Sequence, residues 1–279
     1  MRYEGDTGDT SPVPRFFSFF SLAEQRKEHR QVLHRMTSSK LQTKGYENMS
    51  ISENVKLIKE KIRAAALACG RDPDEIRLVA ATKMNDADRV REAIAAGVPV
   101  CGENRVQELT EKNALGAYAG AELHFIGHLQ KNKVKYLVGT VSLIHSVDSL
   151  ELLEVIDRQA KKLGVIQDVL LEVNIGAEES KSGFAPEDIF RVLPLMPDFS
   201  SVRVRGLMAI PPVCADPEEN RPYFCAMKQL FIDIRDKKYD NVSMDFLSMG
   251  MSADYEVAVS EGANLVRVGT GIFGARNYN

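Results

Sequence analysis

The stretch IRLVAATKMNDADRVREAIAAGVPVCGEN, residues 76–104, contains two short apolar runs on either side of an amphipathic segment. The first run covers residues 76–83 and ends in a lysine, Lys83, and the second covers 98–103. Each run has the length of a buried strand, and residues 86–97 between them form a candidate helix. A strand, a helix and a second strand in this order predict a parallel β-α-β unit.

The same alternation continues along the rest of the chain. Eight strand-like runs are separated by helical candidates at 86–97, 150–164, 185–196 and 223–238, and the runs cover 76–83, 98–103, 122–128, 142–149, 168–175, 202–210, 246–251 and 265–274. Eight such units in about 225 residues fit a closed (β/α)8 TIM barrel, an α/β fold of usually ~250 residues. An open doubly wound sheet is the alternative. No G-x-G-x-x-G follows the first strand and no P-loop occurs, so we predict the barrel.

An additional N-terminal helix precedes the first strand. The segment SISENVKLIKEKIRAAALACG, residues 50–70, opens with a capping box from Ser50 to Glu53 and ends at a glycine. Apolar residues recur along it at helical spacing, which predicts one buried face. We therefore expect residues 50–279 to form a single domain.

Residues 1–49 lack any sustained helical or alternating period. Their apolar stretch FFSFFSLA is short and follows acidic residues, which argues against a secretory signal. Acidic residues spread through the segment also argue against a mitochondrial transit peptide. We expect a disordered extension or an over-long start assignment, with Met49 as an alternative initiator.

The composition is that of an ordinary globular protein: 279 residues, 44% hydrophobic and 27% charged, with a net charge of −3. The weakly negative balance argues against a nucleic-acid partner. No apolar run reaches the ~18–20 residues of a membrane span. The four cysteines show no C-x-x-C spacing and are interpreted as reduced thiols, so we expect a cytoplasmic protein.

Chemistry in such a barrel is located at the carboxyl-terminal ends of the strands. Turn-forming residues end strands in any protein, which explains several of the ends in this chain. From the first strand to the sixth, the residues at the ends are Lys83, Glu103 with Asn104, His128, Asp148, Asn174 and Met208.

The last two strand ends are rich in glycine and hydroxyl residues. Barrels often hold a phosphate in the loops after strands seven and eight, where glycine lets backbone N–H groups approach closely. SMGMSAD (248–254) also begins a candidate helix, whose positive end favours an anion. The two loops predict a phosphate site, and they supply Ser248, Gly250 and Ser252, then Gly269, Thr270 and Gly271.

A lysine and a phosphate site in one barrel indicate pyridoxal 5′-phosphate, although a lysine at a strand end is most often simply solvated. The aldehyde of this cofactor needs a neutral lysine amine, and its pyridine nitrogen needs a partner from the protein. Arg267 precedes Gly269 by two residues, so both project to the same side of the eighth strand. An arginine there would leave the ring nitrogen unprotonated and would weaken the cofactor as an electron sink.

These motifs closely resemble the pyridoxal-phosphate homeostasis protein family, also called the proline synthase co-transcribed family. The resemblance runs from about residue 51 to the carboxyl terminus and includes LVAATK, GENRVQE, HFIGHLQKNK, HSVDS, EVNIGAEESKSGF, GLMAIPP and LSMGMSADYEVAVSEGANLVRVGTGIFGARNY. It implies the fold of the amino-terminal barrel of alanine racemase.

The resemblance also implies roles for the site residues. Lys83 would form the internal aldimine, and Arg267 would face the pyridine nitrogen. Two positions depart from the family: Asn85 stands where a second lysine is common, and Arg105 stands where an aromatic residue is usual. The remaining implied cofactor contacts are Ser248, Gly269 and Thr270 at the phosphate, with Asn104 and Met208 as neighbours in the cofactor pocket. Gly250, in the loop after the seventh strand, is a further predicted cofactor contact.

The resemblance implies a carrier rather than an enzyme. Racemases with this barrel add a β-rich domain that supplies a tyrosine base, whereas this sequence ends after IFGARNYN. His128 and Tyr255 are candidates for a second base, but a histidine in an apolar strand is more often structural. We expect a monomer or weak dimer that holds the cofactor and releases it to apo-enzymes. The alternatives are a slow amino-acid racemase and a cofactor-free Schiff-base lyase.

Overall fold

The computed structural model describes residues 49–178 and 181–274, so the expectation for residues 1–48 lies outside the described residues. Eight parallel strands pair in chain order, and the last strand closes against the first with Arg77 opposite Leu265. The predicted (β/α)8 barrel is thus confirmed. The strands are β1 (Arg77–Ala81), β2 (Val100–Glu103), β3 (Glu122–Phe125), β4 (Leu143–Val147), β5 (Gln167–Val173), β6 (Val202–Ala209), β7 (Val242–Ser248) and β8 (Leu265–Val268).

The helices surround the barrel, and the predicted additional helix is present. The hydroxyl of Ser50 accepts from the amide of Glu53, whose carboxylate accepts from the Ser50 amide at 2.8 Å, so the capping box forms. No helix among the described residues is long and apolar enough to cross a membrane. The helices are α1 (Ile51–Ala68), α2 (Ala87–Ala95), α3 (Val106–Ala114), α4 (Leu150–Leu163), α5 (Pro186–Val192), α6 (Arg221–Lys237), α7 (Tyr255–Ser260) and α8 (Thr270–Phe273).

The bounds of β7 and β8 differ most from the prediction, by four residues or more at one end. Strand β8 ends at Val268, because the amides of Ile272 and Phe273 donate to the carbonyl of Gly269 at 2.9 Å and start the short helix α8. Strand β7 begins at residue 242 rather than 246. The first half of β7 contains Asp245, which forms an ion pair with Arg205 at 2.5 Å. This charged residue interrupts the apolar pattern, so the predicted strand begins too late.

Side chains that point inward fill the barrel. Successive side chains of a strand alternate between its two faces, so a residue two positions from an inward-pointing residue also points inward. On this basis Glu172, Ser248 and Arg267 belong to the interior, two residues beyond Leu170, Phe246 and Leu265. The apolar interior layer consists of Val79, Val100, Ile126, Leu143, Leu170, Met208 and Leu265.

Candidate functional site

Lys83 lies at the carboxyl-terminal mouth of the barrel. The amide of Thr82 still donates to the carbonyl of Gly102 at 3.0 Å, and the chain turns immediately afterwards. Lys83 is half-buried and has the inward phase of Val79 and Ala81. This position suits a lysine that meets a ligand at the barrel mouth. Its covalent role stays a prediction.

A buried ion pair fixes the backbone just before Lys83. The carboxylate of Glu103 is fully buried and accepts hydrogen bonds from Lys112 Nζ and Thr82 Oγ1, both at 2.6 Å. Lys112 also donates to the Thr82 carbonyl at 2.8 Å. The hydroxyl of Tyr118 lies 3.3 Å from Glu103, and burial together with this negative charge raises the pKa of Tyr118. The sequence identified only Glu103, because nothing in a helix pattern shows that Lys112 turns inward.

Asn104 continues the inward phase of β2. Its side-chain Oδ1 is buried and has no hydrogen-bond partner among the described residues. The backbone is tightly packed here, since a Cβ on Gly127 would lie 2.1 Å from the Asn104 carbonyl oxygen. A buried acceptor left without a donor costs roughly 1–3 kcal/mol, which a ligand with a donor would remove. Asn104 therefore fits the predicted pocket.

Arg267 is a buried cation in the barrel interior. Its Nη1 donates to the hydroxyl of Ser248, its Nη2 donates to the Ala209 carbonyl at 2.9 Å, and its amide donates to the Gly250 carbonyl at 3.0 Å. Burial lowers the pKa of Arg267 to about 10, while the charges of Asp254 and Glu172 oppose the shift. The guanidinium therefore stays charged at neutral pH and is a donor only.

Ser248, for which the resemblance implies a phosphate contact, makes its contacts inside the barrel. Its side chain is fully buried beside Arg267, with Oγ 3.0 Å from His145 Nδ1, because the inward phase of β7 points it into the barrel. The hydroxyl at the glycine loop belongs instead to Ser252, whose Oγ accepts from the amides of Gly269 at 3.2 Å and Gly271 at 3.3 Å. Two N–H groups that converge on one oxygen are suited to hold a phosphate oxygen.

Thr270 and Gly250 are also predicted cofactor contacts, and their surroundings differ. Thr270 is half-buried and is the first residue of α8. Gly250 has φ +89°, and a Cβ there would lie 2.5 Å from the Cβ of Ala258. Gly250 therefore makes the tight turn that leads from β7 to Ser252, and it acts on the loop through backbone shape.

Met208 and Glu172 lie beside each other in the interior. Residue 208 is in register with Glu172 on one side and with Ser248 on the other. Burial, reinforced by the charge of Asp148, raises the pKa of Glu172 to about 7, while Arg267 and His128 oppose the shift. Met208 thus lines the interior, and its place in the cofactor pocket stays a prediction. The sequence missed Glu172, although the alternation of β5 points it inward.

The two candidates for a second base are placed differently. The side chain of His128 is 61% exposed, and its Nδ1 lies 3.3 Å from both Asp148 Oδ2 and Ser182 Oγ. These three residues line an open cavity of about 750 Å³. Tyr255 is buried in the apolar layer between the strands and the helices, so its position is that of a structural residue. Only His128 stands at the mouth.

The ion pair beside Thr82 generates a stability prediction. Lys112→Met leaves the buried carboxylate of Glu103 without its cation, so we expect a loss of about 3–5 kcal/mol in the free energy of unfolding. The double variant Glu103→Gln/Lys112→Met removes both charges and should lose less. Urea denaturation measures both, with Lys56→Met on the exposed face of α1 as the control. A double variant as unstable as the single one would contradict the prediction.

Glu172 generates a prediction on pH. Its pKa of about 7 lies above the ordinary value of 4.5, so this group stabilises the fold at low pH and the contribution is lost as pH rises toward 7. Glutamine resembles the protonated acid. The stability of Glu172→Gln relative to the wild type should therefore increase by roughly 2 kcal/mol from pH 5 to pH 8. Urea denaturation at both pH values tests this, with exposed Glu154→Gln as control, and an unchanged difference refutes it.

Comparisons with known proteins agree with this fold. Residues 50–277 match the family described as alanine racemase, N-terminal domain. The chain is 43% identical over 230 residues to the pyridoxal phosphate homeostasis protein of Aquifex aeolicus (strain VF5), which covers 82% of this chain and 100% of that protein. The protein of the same name from Escherichia coli (strain K12) is 37% identical over 233 residues, covering 82% and 98%.

A solved structure gives the same result. PipY of Synechococcus elongatus PCC7942, with PLP bound, is 35% identical and has a TM-score of 0.68. The match covers 81% of this chain and 100% of that one. The chain therefore belongs to the alanine racemase N-terminal domain family and, within it, to the pyridoxal phosphate homeostasis proteins.

Proposed function

We propose that this protein binds pyridoxal 5′-phosphate at the carboxyl-terminal mouth of the barrel and acts as an intracellular carrier of the cofactor. One observation carries the proposal: Lys83 follows β1 at the mouth of the barrel, and the buried cation Arg267 lies on the adjacent strand β8. The amides of Gly269 and Gly271 converge at the end of the same strand β8. PipY, a relative whose structure contains PLP, supports the assignment.

Each part of the cofactor has a residue suited to it. The amine of Lys83 would bind the aldehyde carbon, and the amides of Gly269 and Gly271 would hold phosphate oxygens together with Ser252 and Thr270. When bound, the cofactor supplies a reactive aldehyde and an electron-withdrawing ring. Arg267 keeps its own protons at neutral pH and donates to an acceptor. It would therefore leave the ring nitrogen unprotonated.

The surroundings of Lys83 favour a role as a cofactor carrier over a role as an enzyme. A racemase needs a second base on the far side of the substrate, within hydrogen-bond reach. His128 is solvent-exposed and paired with Asp148, and Tyr255 is buried outside the strands. Release of the cofactor to apo-enzymes would control free cofactor and amino-acid pools.

One observation favours a second function, slow racemisation of amino acids. Glu172 lies in the interior with Arg267, and its pKa of about 7 would let it exchange protons at neutral pH. In this alternative Lys83 and Glu172 would be the two bases. The cofactor-free lyase is supported by Lys83 alone.

Cofactor binding is tested with the Lys83→Ala variant. After titration with pyridoxal 5′-phosphate and gel filtration, the wild type should retain a visible absorbance band. Borohydride should then add the mass of one reduced cofactor to the intact protein. Lys83→Ala should lose both signals, whereas Lys56→Ala, which removes an exposed lysine of α1, should keep them. A wild-type protein that stays colourless after reconstitution would rule out the proposed function.

Turnover is tested with L-alanine in deuterated water. A carrier should incorporate no α-deuterium and form no D-alanine above the rate of free cofactor, because in the carrier assignment neither Lys83 nor Glu172 removes the α-proton. A racemase should incorporate deuterium and form D-alanine, at a rate that falls at least tenfold in Glu172→Gln, since positioned acid–base groups contribute roughly 10²–10⁴-fold. Chiral chromatography and mass spectrometry distinguish the two outcomes, and steady turnover would overturn the carrier assignment.

A further inference from the structure

A row of hydrogen-bonded polar groups crosses the barrel interior behind Arg267. Ser248 Oγ lies 3.0 Å from His145 Nδ1, and His145 Nε2 lies 2.9 Å from His124 Nδ1. His124 Nε2 lies 3.4 Å from Oε2 of Glu122, the first residue of β3. We call Glu122, His124, His145 and Ser248 the interior chain. It runs from the amino-terminal end of the barrel to the cofactor-facing cation.

The two ends of the interior chain differ in exposure. The side chain of Glu122 is 49% exposed and accepts from Arg77 Nη2 at 2.5 Å. Ser248, at the other end, is fully buried and accepts from Arg267. The interior chain therefore connects a solvent-accessible ion pair to a dry site on the opposite side of the barrel.

Both histidines of the interior chain are neutral at pH 7. They are almost completely buried, and burial lowers the pKa of His124 to about 4 and that of His145 well below its usual range. The charge of Glu122 opposes the lowering of the His124 pKa without reversing it, and the charges of Arg77 and Arg267 lower the pKa values of His124 and His145 further. A neutral imidazole has one nitrogen that donates and one that accepts. Each ring therefore donates a hydrogen bond to one neighbour in the interior chain and accepts one from the other.

Glu122 sets that direction. An ionised carboxylate only accepts hydrogen bonds, so His124 must carry its proton on Nε2 and accept at Nδ1. His145 then donates from Nε2 to His124 and accepts at Nδ1. The hydroxyl hydrogen of Ser248 is the donor to that nitrogen, which leaves the lone pairs of Ser248 for Arg267.

The reverse direction is much less favourable. It would place the lone pair of His124 Nε2 against the carboxylate of Glu122. It would also leave the hydroxyl hydrogen of Ser248 buried without an acceptor, which costs about 1–3 kcal/mol. In the forward direction each bond polarises the next, so the negative charge at Glu122 strengthens the acceptor that Ser248 presents to Arg267.

We propose that Glu122, His124 and His145 are positioning residues for the cofactor site. They orient the hydroxyl of Ser248 so that its oxygen accepts from Arg267, and this holds the guanidinium where it would meet the ring nitrogen. The proposal rests on the proposed function for its ligand, but the direction of the interior chain is a property of the protein alone. A charged group at the far end of the barrel thereby acts on the cofactor site.

The direction is tested with Glu122→Gln, which keeps the shape of the side chain but can donate as well as accept. Long-range ¹H–¹⁵N spectra of the histidines report the tautomers in protein without added cofactor. In the wild type, His124 and His145 should both be protonated on Nε2. In Glu122→Gln at least one ring should be protonated partly on Nδ1. Wild-type tautomers in the variant, or an Nδ1–H form in the wild type, would overturn the proposal.

The effect on the site is tested by titration with pyridoxal 5′-phosphate. Glu122→Gln should bind about threefold to tenfold more weakly than the wild type, the usual effect of one weakened hydrogen bond, and should shift the absorbance maximum of the bound cofactor. The control is Asp245→Asn, which removes an exposed strand carboxylate whose partners are Arg205 and Ser243. It should leave both quantities unchanged.

The two experiments separate the possible failures. Altered tautomers with wild-type affinity and absorbance would show that the interior chain does not act on the site, and would overturn the proposal. A wild type that binds no cofactor would instead refute the proposed function. The tautomers would still decide whether Glu122 sets the direction of the interior chain.

Discussion

The interior of a closed eight-stranded barrel is filled by every second side chain of its strands, and the site of this protein depends on that constraint. Any polar group that points inward must find its hydrogen bonds among the other inward side chains, because little water is available there. One layer of the interior is apolar, with Val79 and Leu265 among its residues. The buried hydroxyl of Ser248 finds its partners in Arg267 and His145.

The backbone before Lys83 and the side chain of Arg267 are both held by buried hydrogen bonds. Thr82, next to Lys83, is tied to the Glu103–Lys112 ion pair, and Arg267 is tied to Ser248. A buried ion pair adds little net stability, yet loss of one partner is costly. The value of such contacts lies in fixed geometry, which a site needs if a reactive amine and a cation are to meet one small ligand.

A reactive lysine is not by itself a catalyst. The structure supplies Lys83 with supporting contacts on the strand side and leaves the mouth beside His128 and Asp148 open. Glu172 bears most on the distinction between carrier and enzyme, because its pKa of about 7 would let it exchange a proton near physiological pH. A protein that stores and transfers a cofactor benefits from a secure lysine and an accessible mouth.

The sequence by itself determined the order of eight strand–helix units, the N-terminal capping box, Lys83 at the end of the first strand and the inward phase of Arg267. All of these are local, since they follow from spacing along one element. Local spacing also left Ser248 and Ser252 equivalent, and only the inward phase of β7 separates them: Ser248 contacts Arg267 inside the barrel, whereas Ser252 lies at the glycine loop.

The tertiary structure alone decided which distant residues meet. His145 and Ser248 are 103 residues apart and lie on strands that are not neighbours, so their contact depends on barrel closure and on register shifts in the strands between them. The contact between Lys112 and Glu103 likewise depends on how α3 packs against β2. Periodicity states which face a side chain occupies, but the partner on that face is set by how the whole barrel closes.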